Sequence, residues 1–409
     1  MVNPRVCLLT LAALAFGSGA YVFSGLLDPM ARDIGSSVAA AGQLQTAFVM
    51  AAAIGGPLLA MWSGRMDRKR LLIVALAAIT LLTAWCAFAS NFGLLLLLRV
   101  LAGATGGVVM PAAAAAAASL VPAHQRGSAI AMVLGGMTLA FLLGIPAGSV
   151  VGDLLGWRAT FLFAALLSGI ACVAITIWLP AVPYAAPAEN HGIEWGRVLP
   201  PVIMTLLSFA ATMAVVSYIG PVLELEAGIR GRAVGLFQVI IGLGALLGLV
   251  VGGRAANNGA GRRAVAGAFT LILVAQIIHF VELGGGAPKG LPTLMLVGWA
   301  IFSSAFALFA IMPIIQARLV SIAPSAAALV LAVNGSMNYF GQGLGAGLGG
   351  LAIRLAGFPS VALLGAVLSL IGLLLAAKYH RSQRQATGSS AASKPEYSHG
   401  LMGQTGWLE

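Results

Sequence analysis

The sequence predicts an all-α integral membrane protein with twelve transmembrane helices arranged as two six-helix bundles. Three observations support this prediction. Of the 409 residues, 60% are hydrophobic and 8% are charged, whereas a soluble domain has about half apolar and a quarter charged residues. The apolar residues fall into runs long enough to cross a bilayer, which takes about 20 residues. A polar stretch near the middle of the chain separates six of these runs from six others.

Each predicted span is an apolar run bounded by charged or turn-forming residues. In the first half of the chain the predicted spans lie at 7–27, 41–62, 71–90, 94–120, 128–152 and 159–180. In the second half they lie at 200–222, 232–253, 264–283, 292–317, 326–352 and 359–379. The first run is longer than a signal-peptide core and is followed by similar runs, so we interpret it as a span.

The same pattern predicts four segments: an N-terminal bundle at 1–180, a cytoplasmic linker at 181–198, a C-terminal bundle at 199–379 and a tail at 380–409. The linker contains Pro183, Pro187 and several charged residues, which is typical of a connection between units. The tail is rich in Ser, Gly and Gln, a composition that predicts disorder.

The positive charge is unequally divided between the two predicted sides of the membrane. With the N-terminus inside, fifteen Lys and Arg residues fall on the cytoplasmic side and six on the outer side. Cytoplasmic loops of membrane proteins carry such an excess, so we expect both termini in the cytoplasm. The net charge of +11 needs no nucleic-acid partner, because no basic stripe is interleaved with aromatic residues.

Neither a cofactor nor a metal ion is expected. Cys7, Cys86 and Cys172 lie far apart in apolar runs, without metal-ligand or disulfide spacing. The stretch GAGLGG (345–350) matches Gly-x-Gly-x-x-Gly, but it lies inside an apolar span and not between a strand and a helix. It therefore predicts close helix packing and not a dinucleotide site.

One short loop concentrates charge that is scarce elsewhere. Five of the seven residues in GRMDRKR (64–70) are charged. The basic residues can serve as a topology signal, but the lone acid, Asp67, suggests an ion pair or a helix-dipole contact. The equivalent loop of the second half, GGRAANNGAGRR (252–263), repeats the Gly-Arg pair but has no acid. Internal repeats of this kind are known from secondary transporters.

These stretches resemble a known family. The loop is similar to the Gly-x-x-x-Asp-Arg-x-Gly-Arg-Arg signature of the major facilitator superfamily, although its second glycine is absent. GGMTLAFLLGIPAGSVVGDLLGWRATF (135–161) resembles the antiporter signature of drug–proton antiporters, most of all in the arabinose-efflux-permease-like branch. LLRVLAGATGG (97–107), AGQLQTAF (41–48) and YIGPVLELEAG (218–228) fit the same branch. The resemblance implies the major facilitator fold, a monomer in the bacterial inner membrane, and transport without enzymatic activity.

The resemblance also assigns roles to particular residues. It implies a conformational latch formed by Gly64, Asp67 and Arg68. It implies a seal between the two bundles at span 5, formed by Gly144, Pro146, Gly148 and Gly152. Spacing alone predicts that these glycines, four residues apart, let neighbouring helices approach closely, with a kink at the proline.

The chain departs from the family at one position that bears on proton coupling. Family members usually carry a Glu in span 1 where this chain has Ala20. Arg99, about 9 Å inside the outer end of span 4, is either functional or extends outward to the interface. Other candidates are Asp28 and the pair His279 and Glu282, which share one helical face; the alternative is that they are solvated residues at the rim.

Span 11 carries the clearest polar stripe. Asn334, Asn338 and Gln342 are four residues apart and therefore share one face. Amides do not face lipid unsatisfied, so this face lines a cavity and binds substrate or makes helix–helix hydrogen bonds. Tyr218 and Gln238 are further substrate-binding candidates. Thr205, Ser208 and Thr212 form a weaker stripe in span 7, for which packing is the preferred interpretation.

The function expected from the sequence is secondary active transport. We expect export of a small organic molecule (a drug, sugar or nucleoside-like compound) by alternating access, in exchange for protons. Ala20 leaves open a proton-independent facilitator or an uptake carrier. A polytopic membrane enzyme or lipid-handling protein is a remote alternative, since the sequence shows no metal cluster and no nucleophile–base pair.

Overall fold

The computed structural model describes residues 4–63, 66–122, 125–182, 193–257, 261–285 and 290–392. Within these ranges the chain is helical, with no strand. Gly64 of the predicted latch and residues 183–192 of the predicted linker lie outside the described residues.

Sixteen α-helices make up the described part of the chain. Those of the first half are α1 Pro4–Tyr21, α2 Leu27–Asp33, α3 Val38–Trp62, α4 Arg68–Cys86, α5 Phe92–Gly106, α6 Val109–Ser119, α7 Arg126–Leu139, α8 Ile145–Leu155 and α9 Trp157–Trp178. Those of the second half are α10 Trp195–Val216, α11 Ile219–Ala227, α12 Arg232–Asn257, α13 Gly261–Leu283, α14 Leu291–Ile322, α15 Ala327–Ala356 and α16 Pro359–Ala392.

Four of the predicted spans consist of two helices in line: α1 with α2, α5 with α6, α7 with α8, and α10 with α11. In each case a proline lies close to the break, at Pro29, Pro111, Pro146 and Pro221. Proline has no N–H to donate to the carbonyl four residues earlier, so the helix is interrupted there. In span 5 the interruption is a turn of π-helix over Ala140–Gly144, next to Pro146, where the sequence predicts a kink.

Eleven of the resulting segments are long and apolar enough to cross a membrane. The twelfth, α15, is long enough at 30 residues, but its amides and many glycines make it less apolar than the others. It packs among the spanning helices, against α3, α10 and α16. The all-helical prediction is confirmed, and α15 is buried by protein on several sides.

Helices pack mainly within their own half of the chain: α1 and α9 are examples in the first half, and α12 and α14 in the second. The halves meet along α3 with α15 and α8 with α12, and α11 contacts α2 and the turn Ser24–Leu26. We call the end at which α1 begins the inner end, and the opposite end the outer end, following the orientation predicted from loop charge. The contacts of α2, α8 and α11 lie towards the outer end.

The last helix is longer than predicted. α16 continues to Ala392, although disorder was expected from residue 380. Residues 379–392 contain no proline and a single glycine, Gly388, so little opposes continuation of the helix. Residues 393–409 of the predicted tail lie outside the described residues.

Candidate functional site

Three polar side chains join the two halves near the middle of the bundle. The Tyr21 hydroxyl, at the end of α1, donates a hydrogen bond to the Gln342 side-chain oxygen on α15. The Gln342 amide in turn donates to Asn338. Tyr21 lies near the middle of the segment Pro4–Asp33, and Gln342 lies near the middle of α15. We call Tyr21, Gln45, Asn338, Tyr339 and Gln342 the midplane cluster.

Aromatic rings surround this cluster. The Phe141 ring lies 5.1 Å from that of Tyr21 and 5.7 Å from that of Phe309. The Phe16 ring meets the Tyr339 ring edge-on at 6.1 Å. These rings come from both halves of the chain. Rings at such distances pack favourably, and they make the surroundings of the cluster apolar and aromatic.

Gln45, on α3, is the unusual member of the midplane cluster. Its side chain is 1% exposed, and neither its amide nitrogen nor its oxygen has a hydrogen-bond partner of normal geometry within the protein. The polar group beside it is the Tyr21 phenol, which already donates to Gln342. Buried polar groups in native proteins nearly always have a partner, and an unmet one costs about 1–3 kcal/mol. The cluster therefore contains a donor and an acceptor that water or a ligand can satisfy.

The predicted stripe on α15 divides into two parts. Asn338 and Gln342 belong to the midplane cluster. Asn334 is instead 5% exposed and accepts a hydrogen bond from Thr205 on α10 at 2.7 Å. The helix–helix hydrogen bond offered by the sequence is therefore seen at Asn334 and, through Tyr21, at Gln342; cavity lining by the outer two amides stays a prediction.

Tyr218 and Gln238 do not lie with the other substrate-binding candidates. The Tyr218 hydroxyl donates to Ala346 O at 2.9 Å, and its ring packs against Gly42. Gln238 accepts from Ser149 at 2.7 Å and donates to Ser24 at 3.3 Å. Each therefore bridges the two halves on the outer side of the midplane cluster. Polarity alone could not distinguish a group that closes the outer end from one that contacts substrate.

The glycines spaced four apart in span 5, which we call the glycine ridge (Gly144, Gly148 and Gly152), pack mainly on the first span. A Cβ at Gly144, Gly148 or Gly152 would collide with Ser18, Val22 or Leu26. The other half reaches the ridge at Pro146, whose carbonyl oxygen lies 3.2 Å from the position of a Cβ at Gly235. The close approach predicted from spacing is present, and the seal between halves stays a prediction.

Arg99 is fully buried. Its guanidinium donates to Gly19 O at 2.8 Å and Ala20 O at 2.9 Å, with a longer contact of 3.5 Å to Leu44 O. The Phe48 ring lies 4.1 Å from its central carbon. Gly19 and Ala20 are in the last turn of α1, whose carbonyls lack helical partners and carry partial negative charge. Arg99 thus caps α1 and does not extend outward to the interface.

Asp67 caps the start of α4. Its Oδ1 accepts from the backbone N–H of Lys69 at 2.8 Å and of Arg70 at 3.2 Å. The backbone N–H of Arg68 donates to Val182 O at 2.9 Å, which ties the loop to the end of the first half. Of the two sequence interpretations, the helix-terminus contact is the one seen. The latch itself stays a prediction.

Replacing Asp67 with Asn separates capping from the latch. Asparagine caps a helix about as well as aspartate, so expression and thermal stability should match those of the unaltered protein. If the charge also restrains the loop during transport, the initial transport rate should fall about 5-fold or more, the lower end of typical coupling between sites. Transport measured in vesicles at equal protein content, with Ser37→Asn at the cap of α3 as the control, tests this. An unaltered transport rate would contradict the proposed latch.

The proton-coupling candidates lie at the outer end. Asp28 on α2 is partly buried. His279 on α13 is buried, with its Nδ1 2.7 Å from Glu226 Oε1 on α11, and Glu282 is 8% exposed. The sequence analysis did not select Glu226, which stands two positions after Glu224. The structure shows that Glu224 pairs with the exposed Arg230, whereas Glu226 faces the protein interior.

A surface depression at the outer end is lined by Val150, Asp153, Arg230, Gly231, Arg232, Ala233 and Leu236. Arg232 lies 3.8 Å from Asp153 across the two halves. Exposed pairs of this kind contribute about 0–1 kcal/mol. The depression is distant from the midplane cluster, and its charged rim is solvated, so it is the weaker candidate for substrate.

Comparison with known proteins agrees with the overall fold. A family model described as Major Facilitator Superfamily matches residues 9–310. The inner membrane transport protein YdhP of Escherichia coli (strain K12) is 31% identical over 386 residues, covering 92% of this chain and 96% of that protein. A chloramphenicol resistance protein of Streptomyces lividans is 31% identical over 259 residues, covering 61% and 66%. The solved structure of a bacterial homologue of the human lysosomal transporter Spinster has a TM-score of 0.75 at 16% identity, covering 93% and 98%.

Proposed function

The chain belongs to the Major Facilitator Superfamily, and on this premise we propose that it exports a small, uncharged organic molecule by alternating access. It is a multi-pass membrane transporter and not an enzyme. The substrate would bind at the midplane cluster, between the halves of the chain. Export, the class of substrate and an exchange for protons are the parts of this proposal that go beyond membership of the family.

The observation that carries the proposal is the unsatisfied amide of Gln45 beside a hydrogen-bonded bridge between the halves. Secondary transporters bind substrate near the bilayer midplane, at the interface of their repeats. A ligand seated there would contact Tyr21 and Gln45 of one half and Asn338 and Gln342 of the other. Its binding free energy would therefore depend on the relative position of the halves, as alternating access requires.

The chemistry of the cluster supports an uncharged substrate. Its polar groups are amides and phenols, and aromatic rings flank them. The buried Arg99 offers no free charge to a ligand, because its guanidinium is bound to backbone carbonyls. A charged ligand would lose its hydration without gaining a counter-charge. One relative is named a chloramphenicol resistance protein, which supports export and suggests chloramphenicol, a neutral aromatic amide, as the first probe.

The contacts at the outer end define the state to which the substrate would bind. Gly25 with Gly220, Gly42 with Tyr218, and Gln238 with two serines join the halves there. These contacts close the outer end, so exchange of substrate with the outer side requires that they separate. A molecule bound at the midplane in this state would be released outward only after that change.

The test is transport of labelled chloramphenicol, a hexose and a nucleoside by everted vesicles that contain the protein. We expect accumulation of the uncharged aromatic probe that requires the protein and is lost when the proton gradient is collapsed. Accumulation of no probe class would contradict export of this kind of molecule. Equilibration without accumulation would favour the second candidate, a facilitator, which Ala20 at the family's usual acidic position supports.

Gln45→Met should separate ligand binding from folding. Methionine has nearly the volume of glutamine but no unmet polar group, so we expect thermal stability to be kept or to rise by about 1 kcal/mol. The same change should weaken substrate binding by about tenfold, since a polar contact of about 1.4 kcal/mol is lost. Binding to the purified protein and a melting curve measure the two effects.

The matched control is Gln43→Met, on the same helix. The Gln43 amide already donates to Gly347 O at 3.3 Å, so its loss should reduce stability. A decrease in stability of Gln45→Met without weaker binding would show that the Gln45 amide has a structural role only.

A further inference from the structure

The C-terminal half contains a buried acid–base pair that the substrate site does not use. Nδ1 of His279 lies 2.7 Å from Oε1 of Glu226, with side-chain exposures of 2% and 0%. Glu226 is the most buried carboxylate of those that the structure describes. Its partner is a titratable imidazole and not a permanently charged Arg or Lys side chain.

The burial of this pair determines how many protons it holds. With one proton shared between the two groups, the pair is neutral overall, as an acid beside an imidazole or as a carboxylate beside an imidazolium. Without that proton the interior would hold a lone anion, and with a second it would hold a lone cation. Either state costs several kcal/mol in a dry interior. The outer-closed structure therefore favours the pair with one proton.

A route inward from the pair is marked by buried oxygens without partners. Oε2 of Glu226, Oε1 of Gln276 and Oγ1 of Thr212 make no hydrogen bond within the protein. Gln276 is three residues before His279 on the same face of α13, towards the inner end. Its nitrogen donates to Ala211 O at 3.1 Å, the residue next to Thr212. Buried polar atoms without protein partners are usually met by ordered water.

The pair is also connected to closure of the outer end. Glu226 and Gly220 lie on the same short helix, α11. A Cβ at Gly220 would lie 2.8 Å from the carbonyl oxygen of Gly25 in the other half. When the halves separate at the outer end, α11 must leave this contact, and the environment of Glu226 changes with it.

Other charges around α11 are at the rim. Among the described elements packed against it, α14 and α10 carry Arg318 and Arg197 towards their inner ends, and the turn Ser24–Leu26 carries no charge. At the outer end α11 and the described elements next to it carry Asp28, Arg32, Asp33, Glu224, Arg230, Arg232 and Glu282, and other described elements carry Asp153, Arg158 and Arg354. Glu282, three residues after His279, is itself buried at 8% exposed. Several of these pair with one another, as Glu224 does with Arg230.

We propose that Glu226 and His279 form the proton site of the transport cycle. The pair takes up one proton from the outer side while the outer end is open, and the neutral pair allows that end to close. The proton leaves towards the inner end past Gln276 and Thr212, so that one proton enters for each substrate exported. This inference rests on the proposed function, because the movement of the proton would supply the energy for export of the substrate.

The test uses the full-length protein in liposomes, with chloramphenicol as probe and a fluorescent pH indicator inside. Glu226→Gln should lose accumulation driven by a proton gradient, down to the level of empty liposomes. It should keep exchange of labelled for unlabelled probe without a gradient, because that exchange needs no net proton movement. Glu224→Gln, on the same helix but paired at the surface, is the control and should keep both activities.

Three results would overturn the proposal. Gradient-driven accumulation by Glu226→Gln at the unaltered rate would exclude Glu226 as the proton carrier. Loss of gradient-free exchange in a monodisperse Glu226→Gln preparation would assign the residue to the substrate cycle itself. Exchange by the unaltered protein with no proton signal would be compatible with export but would contradict the proposed proton site. If Glu226→Gln does not fold, His279→Gln is judged by the same criteria.

A second readout needs no substrate. The infrared difference spectrum of the purified protein between alkaline and neutral pH should contain a contribution from loading the pair with its one proton, which is absent in Glu226→Gln and persists in Glu224→Gln. Persistence of the whole contribution in Glu226→Gln would overturn the proposal even if no probe were transported. Failure of the proton site and failure of the export function are thus distinguishable.

Discussion

Gly220→Val should nearly abolish transport while leaving the protein folded. Gly220 lies where α11 of one half meets the turn Ser24–Leu26 of the other. An added Cβ would lie 2.8 Å from the oxygen, 3.0 Å from the carbon and 3.2 Å from the Cα of Gly25. These are backbone atoms, so no side chain can rotate away. Overpacking typically costs about 1–3 kcal/mol, enough to disfavour outer closure by about 5- to 150-fold.

Labelling from the outer side measures this directly. A cysteine in place of Ser24, which is 3% exposed in the closed structure, should react faster with a membrane-impermeant maleimide when Gly220→Val is added. Gly267→Val, at a helix position with no atom within 4 Å of the added Cβ, is the control and should change neither labelling nor transport. A normal transport rate in Gly220→Val would show that this contact does not form and break during the cycle.

The architecture could be predicted from the sequence because it depends on local composition. Apolar runs of sufficient length can only be satisfied in lipid as helices, and their charged ends set the predicted boundaries. The kink at Pro146 follows from its missing N–H. The division of span 1 and span 7 into two helices follows from the same physics at Pro29 and Pro221, but the apolar pattern continues through both breaks and conceals them.

The midplane cluster could be predicted only in part. Asn338 and Gln342 stand out because amides are rare in apolar helices. Tyr21 and Gln45 gave no comparable signal, since each is a lone polar residue whose role depends on which side of its helix faces the other half. Rotation of a helix about its axis is set by tertiary packing, which single-sequence periodicity does not reveal when the helix is buried on several sides. Glu226 was missed for the same reason.

Arg99→Met should lower stability more than the other substitutions considered. The guanidinium donates to the last carbonyls of α1, at Gly19 and Ala20, and lies over the Phe48 ring. Methionine fills much of the space but leaves those carbonyls without partners in a dry interior. Loss of one partner from a buried charged arrangement typically costs about 3–5 kcal/mol. A melting curve followed by size-exclusion chromatography should show this as a large fall in transition temperature.

Arg99→Lys distinguishes the cap from the charge. Lysine keeps the positive charge at the end of α1 but lacks the planar fork that reaches two carbonyls at once. If capping is the main role, Arg99→Lys should be destabilised almost as much as Arg99→Met. If the charge is what matters, Arg99→Lys should retain both stability and transport. Because Ala20 supplies a backbone carbonyl where the family usually has a carboxylate, we expect the first result, which would assign Arg99 the role of holding the first span in place.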